Sequence, residues 1–90
     1  MIIVSQDKDV IVNFDIITKL WIQNPLENDD GEFTIIAENE WLSERLGFYK
    51  TEERAKEVLQ EIITRYANWE NMKVGQPSGI CSPVYYMPED

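Results

Sequence analysis

Any chemistry in this chain would fall mainly to its carboxylates. Seven of them, Glu27, Asp29, Asp30, Glu32, Glu38, Glu40 and Glu44, lie between Lys19 and Arg45 with no Lys or Arg among them. Such a run is open to three uses. The first is cation binding, because Asn28-Asp29-Asp30-Gly31-Glu32 has the composition of a calcium loop. A helix–loop–helix calcium site needs an oxygen ligand at its first position, Gly at the sixth and a bidentate Glu at the twelfth. With Gly31 in the sixth place, Leu26 and Ala37 take the ends, and neither can ligate. A turn is the simpler reading, beside a loose site of scattered carboxylates. The second use is acid–base catalysis by a pair such as Glu38 and Glu40 on one sheet face, although a chain with 17 acids produces such pairs by chance. The third is recognition. Carboxylates grouped on one hairpin could imitate a phosphate backbone and fill the basic groove of a nucleic-acid-binding enzyme. The competing reading is a solvated loop with scattered strand acids.

Other chemistries lack their residues. Histidine is absent, which removes the commonest general base and the commonest metal ligand. Cys81 stands between Ile80 and Ser82 with no cationic neighbour to form a thiolate, so it reads as a small hydrophobe or an inert loop thiol. There is no nucleophile elbow, P-loop or dinucleotide fingerprint, and Gly75 to Gly79 has no Lys-Ser/Thr after it. No cofactor and no resident metal are expected. A basic group at a helix start, Arg45, Lys50 and Arg54 with Lys56 beyond, offers an alternative anion site. Glu52 and Glu53 occupy that same end and would repel an anion. Among the aromatic residues, Trp21, Trp41, Tyr85 and Tyr86 are candidate anchors for a partner. Tyr85 and Tyr86 are neighbours in a strand and must point to opposite sides, so one of them faces outward. The candidate partner-binding set is therefore Glu27, Asp29, Asp30, Glu32, Glu38 and Glu40 with Trp41 and Tyr85.

Ninety residues, 43% hydrophobic, suffice for one domain with one core, spanning 1–90. Seventeen acids against eight bases give a net charge of −9, which opposes direct nucleic-acid contact and adsorption to anionic membranes. A single cysteine, no basic-then-apolar leader and no apolar run near the length of a membrane span suggest a cytoplasmic protein.

The elements that must position these residues are legible from periodicity. Ile2-Ile3-Val4 and Val10 to Phe14 flank a polar connection and read as a hairpin, with Val10, Val12 and Phe14 on one face. Ile16 to Ile22 reads as a third strand, with Trp21 on the parity opposite Ile16, Leu20 and Ile22, and Asn24-Pro25 ends it. Phe33 to Ala37 is a fourth. Trp41-Leu42 and Leu46 to Tyr49 suggest a fifth, interrupted near Ser43-Glu44. Thr51 is a helix N-cap, and Ala55, Val58, Leu59, Ile62, Ile63 and Tyr66 form an apolar stripe. Glu52–Lys56 and Glu61–Arg65 have favourable i,i+4 spacing. Trp69 continues the stripe, fraying is expected near residue 70, and Lys73 to Pro83 reads as a loop. Val84 to Met87 is a last strand, rejoining the sheet at an edge or beside an early strand. The expected fold is α+β: an antiparallel meander of five to six strands covered by one amphipathic helix, in the order βββββ-α-β.

Three segments also carry a resemblance. Met1-Ile2-Ile3-Val4-Ser5-Gln6-Asp7-Lys8, Leu46-Gly47-Phe48-Tyr49-Lys50-Thr51-Glu52-Glu53-Arg54-Ala55 and Met87-Pro88-Glu89-Asp90 resemble small uncharacterised proteins of Gram-positive bacteria and their phages. These share an "SQDK" start, an "LGxYxTxExA" helix start and an "MPxD" close. The resemblance spans both ends and the helix but not the acidic middle, and it implies a setting in phages or mobile elements of a bacterial host cytosol. Small acidic proteins of that setting often counter host defence, as anti-CRISPR proteins or as sponges for nucleotide signals. The expectation is a non-enzymatic protein that binds and inhibits a host protein, such as a nucleic-acid-binding defence enzyme, through its acidic surface. The alternative is a homo-oligomeric sponge holding a nucleotide between subunits at Arg45, Lys50 and Arg54. A third reading is a housekeeping subunit whose acids serve solubility.

Overall fold

The computed structural model describes residues 1–25, 31–75 and 84–90, with side chains throughout except at 71–75. Two short sheets form where one meander was expected. The first has strand order β2-β1-β6, built from β1 (Ile2–Val4), β2 (Ile11–Asn13) and β6 (Val84–Tyr86). The second has the order β3-β4-β5, from β3 (Lys19–Gln23), β4 (Phe33–Glu38) and β5 (Ser43–Tyr49), and α1 (Glu52–Gly75) follows it. The fold is mixed α+β, in the expected element order. The first sheet is also mixed, because β6 runs parallel to β1 while β2 runs antiparallel to it.

The division has a local cause. The Asn13 side chain accepts from Asp15 N at 3.0 Å and caps a single 3-10 turn, Phe14–Ile16, which ends the ladder of β2. The third strand therefore begins at Lys19 rather than Ile16, and Ile16 is left half-exposed. At the other end of β2, Ser5 organises the turn back to β1. Its N–H donates to Val10 O at 2.8 Å, its carbonyl accepts from Lys8 N at 2.9 Å and its hydroxyl donates to Asp9 Oδ1 at 3.0 Å. Lys8 adopts φ 63° to close that turn.

The irregularity expected near Ser43-Glu44 falls later in a continuous strand. Gly47 opposes Ile35 and Arg45 opposes Ile36, so Leu46 is an extra residue, a β-bulge. Its buried side chain faces the core, and its carbonyl accepts from Gln6 N at 2.7 Å. The Gln6 amide completes this junction between the two sheets. Its Oε1 accepts from Phe48 N at 2.9 Å, and its Nε2 donates to Phe48 O at 3.1 Å, Pro88 O at 3.1 Å and Glu89 O at 2.6 Å.

The helix starts as expected, with Arg54 N donating to Thr51 Oγ1 at 3.1 Å. The helix packs on β3, β4 and β5, burying Ala55, Val58, Ile62 and Trp69 in the core with Leu59 partly buried, and the Tyr66 ring lies 4.7 Å from that of Phe14. Ile63 is 54% exposed and lies off the stripe. The helix runs on to Gly75, so Lys73 to Gly75 belong to it and not to a loop. Helix and both sheets share one core, with Met1, Ile3, Val12 and Tyr85 from the first sheet's side and Ile35, Ala37, Leu46 and Tyr49 from the second.

Gly47 serves a close approach. A Cβ there would stand 2.8 Å from the Tyr49 hydroxyl and 3.0 Å from its ring. The ring cannot retreat, because Tyr49 is buried and its hydroxyl donates to Pro88 O at 2.8 Å. Gly47→Ala is expected to destabilise the fold by about 1–3 kcal/mol in urea denaturation, through overpacking. Gln6→Ala leaves the Phe48 N–H without its acceptor and is expected to cost about 1–3 kcal/mol in the same measurement. Gln6→Glu turns an oxygen toward three carbonyls, so its stability should recover as the solution is acidified and the carboxyl gains a proton. A Gln6→Glu variant whose urea midpoint ignores pH would argue against this junction.

Candidate binding surfaces

Trp41 is the most exposed large hydrophobic residue among the described ones, at 86%. It sits in the β4–β5 turn, and the side chain of Asn39 holds that turn. Asn39 Oδ1 accepts from Trp41 N at 2.8 Å and Leu42 N at 3.0 Å, while Nδ2 donates to Ile16 O at 2.9 Å. A backbone bond from Asn39 N to Leu42 O at 2.9 Å closes the loop. The indole therefore stands open on a fixed base. Ile16, Thr18, Asn39, Glu40 and Trp41 border a hollow of about 390 Å³, with Ile16 and Trp41 as its apolar sides.

The acidic residues do not form one continuous face among the described residues. Glu40 is exposed beside Trp41, whereas Glu38 faces Lys19 across the strand pair at 3.7 Å. Such a pair contributes little to stability at the surface. Glu32 borders a different cleft, together with Lys50, Arg54, Glu89 and Asp90. Glu27, Asp29 and Asp30, and with them most of the calcium-like run, lie outside the described residues, as does Cys81. No group of metal-ligating side chains occurs among the described residues.

The three bases of the alternative anion site separate. Lys50 and Arg54 border the cleft just named, while Arg45 lies on the outer face of the second sheet, in a row with Ile36 and Trp21. Arg54 is already engaged, at 3.3 Å from Glu57, 3.9 Å from Glu61 and 3.0 Å from Asp90 O. Of the i,i+4 pairs, Glu52–Lys56 forms at 2.8 Å, and Glu61 turns instead toward Arg54 and Tyr85.

Tyr85 and Tyr86 do point to opposite sides, and the exposed member is Tyr86. Tyr85 pairs with Ile3 on the core side of the first sheet and is 6% exposed. Its hydroxyl lies 3.4 Å from Glu61 Oε2, and Arg65 stands 5.9 Å from its ring. Burial, with the Glu61 carboxylate next in weight, pushes the Tyr85 hydroxyl up to about 12. Tyr86 shares the outer face of that sheet with Ile11 and Val84, all three exposed. Sequence reasoning named Tyr86 as a candidate anchor but not Ile11 or Val84, because what lies beside Tyr86 is decided by the pairing of β2 and β6 on either side of β1.

Among the described residues no helix is long and apolar enough to cross a membrane. Comparison with protein-family models gave no match, and comparisons with curated proteins and with solved structures gave none either.

The Tyr85 shift has a consequence for stability. A phenol whose folded pKa lies above its unfolded value of about 10 stabilises the fold fully below that pH and ceases to do so through its folded pKa. Tyr49, raised further by its own burial, acts in the same direction. Urea midpoints are therefore expected to fall between about pH 10 and 12, and Tyr85→Phe should flatten part of that fall. An identical alkaline profile in Tyr85→Phe would contradict the assignment.

Proposed function

We propose that this is a non-enzymatic binding protein that docks on a partner protein and blocks it, with Trp41 as the anchor. The observation behind this reading is the 86% exposure of an indole on a turn fixed by three Asn39 side-chain bonds. A large aromatic surface presented without rotational freedom in its base suits the centre of an interface, where Trp residues carry much of the binding energy. Ile16 supplies apolar area beside it and Glu40 a charge at the rim. The net charge of −9 favours a basic partner and speeds encounter with it. The resemblance of the chain's ends and helix start to phage and mobile-element proteins makes a host factor the natural partner, a nucleic-acid-binding defence protein above all. A basic groove built for phosphates would accept an acidic protein in their place. The sponge reading has no comparable support, since Arg45 stands apart from Lys50 and Arg54, and Arg54 is bound to carboxylates.

The test is capture from lysate of a Gram-positive host with immobilised wild-type protein and with Trp41→Ala. Any partner held by the wild type should bind the variant about 30-fold or more weakly, as for a hot-spot tryptophan, while the melting temperature stays the same. Salt should weaken capture by the wild type. Equal retention of the same partner by Trp41→Ala would remove the anchor and this reading with it.

A further inference from the structure

The first sheet stops at an open edge on β6. Met87 N donates to Val4 O at 3.0 Å, so by strand alternation the N–H and C=O groups of Val84 and Tyr86 point away from β1. No strand lies on that side among the described residues. The side chains of Val84 and Tyr86 are exposed on the outer face, whereas Tyr85 turns toward the helix. Between Tyr85 and the polar flank of α1 lies a groove of about 630 Å³, bordered by Glu57, Glu61, Thr64 and Arg65.

We propose that a second copy of this chain pairs antiparallel with β6 about a two-fold axis at Tyr85, joining two three-stranded sheets into one. Val84 of each copy then exchanges both of its outward backbone hydrogen bonds with Tyr86 of the other. An axis of this kind stands perpendicular to the sheet, so both helices lie antiparallel on one face of it.

The charges select a second copy. The Tyr85 hydroxyl lies 3.4 Å from Glu61 Oε2, and the Arg65 guanidinium stands 5.9 Å from its ring. With the axis at Tyr85, Glu61 of each helix comes opposite Arg65 of the other, and opposite charges meet twice. The other edge of the sheet fails the same operation. Pairing β2 with itself about Val12 would bring Asp9 of one copy toward Asp15 of the other. On the outer face, Val84 of one copy sits beside Tyr86 of the second, an apolar cross-strand pair. The contact is small beside a standard interface, so the association is weak. None of these residues belongs to the Trp41 surface, so the two surfaces stand or fall separately.

Sedimentation equilibrium of the full chain tests this at about 0.15 M salt, where a screening length of about 8 Å limits repulsion between two acidic chains. The average mass should rise from one chain to two with a midpoint of about 0.01–1 mM. Val84→Pro removes an outward N–H that β1 does not use, and should weaken association about tenfold or more. Arg65→Glu and Glu61→Arg should each weaken it about tenfold. Mixed in equal amounts, those two variants should associate again, because two glutamates on one helix then face two arginines on the other. This mixture decides by itself if Val84→Pro does not fold. A wild type that stays monomeric at 1 mM, undiminished association of a folded Val84→Pro, or a mixture as monomeric as its components would each overturn the proposal. Association lost in Trp41→Ala but kept in Val84→Pro would also overturn it, and would leave the Trp41 reading intact.

Discussion

Beside the core they share, the two sheets are hydrogen-bonded to each other chiefly through one residue, Gln6. β1 ends at Val4, and among the described residues no strand of the first sheet pairs with one of the second. Gln6 bridges the two. Its N–H meets the carbonyl of the bulged Leu46, and its side chain acts as a short extra piece of strand, accepting from Phe48 N and donating to Phe48 O. The same Nε2 reaches the carbonyls of Pro88 and Glu89 and ties down the segment after β6. A carboxamide can do this because it carries donor and acceptor in the same arrangement as a peptide group. The bulge at Leu46, the bare Cα of Gly47 and the tether of Tyr49 to Pro88 all lie within a few residues of that contact, so the strand's irregularities and the junction form one device.

The fold was partly legible in the sequence for identifiable reasons. The helix was, because its apolar residues keep spacings of three and four over many turns and Thr51 marks its start. β3 was in part, because Leu20 and Ile22 alternate with Lys19 and Trp21, and β4 was as a short apolar run after a turn signal. The split into two sheets was not. It turns on Asn13 capping a single 3-10 turn, a local hydrogen bond competing with strand continuation. Whether β6 would pair parallel or antiparallel was also closed to sequence reading, since three residues carry no directional signal. Ile63 was assigned to the core stripe because apolar type was counted where angular position decides.

The candidate surfaces were legible to different degrees. Trp41 was a candidate anchor, but its place was expected at the start of the fifth strand; it lies instead in the turn before β5, held by Asn39, an unremarkable residue in the sequence. The pairing of Tyr85 and Tyr86 to opposite faces followed from strand geometry, while which of them faces inward depended on register with Ile3. The acidic run looked continuous along the chain. In three dimensions Glu32 joins Lys50 and Arg54, Glu38 joins Lys19 and Glu40 joins Trp41, because alternation and turns send neighbours in sequence to separate faces.

The parallel pairing of β1 with β6 also sets an order of assembly. Its partners are separated by more than eighty positions, Ile2 facing Val84. Contacts so distant close late, since the chain between them must first give up its freedom. During synthesis on a ribosome, β1 and β2 emerge first, and one edge of β1 must wait unpaired until nearly the whole chain has followed. The acceptors that complete the bonding of Gln6, at Pro88 and Glu89, come later still. The hairpin can form early, but the junction that fastens it is the last part to be made, and an unclaimed strand edge is the hazard of that interval.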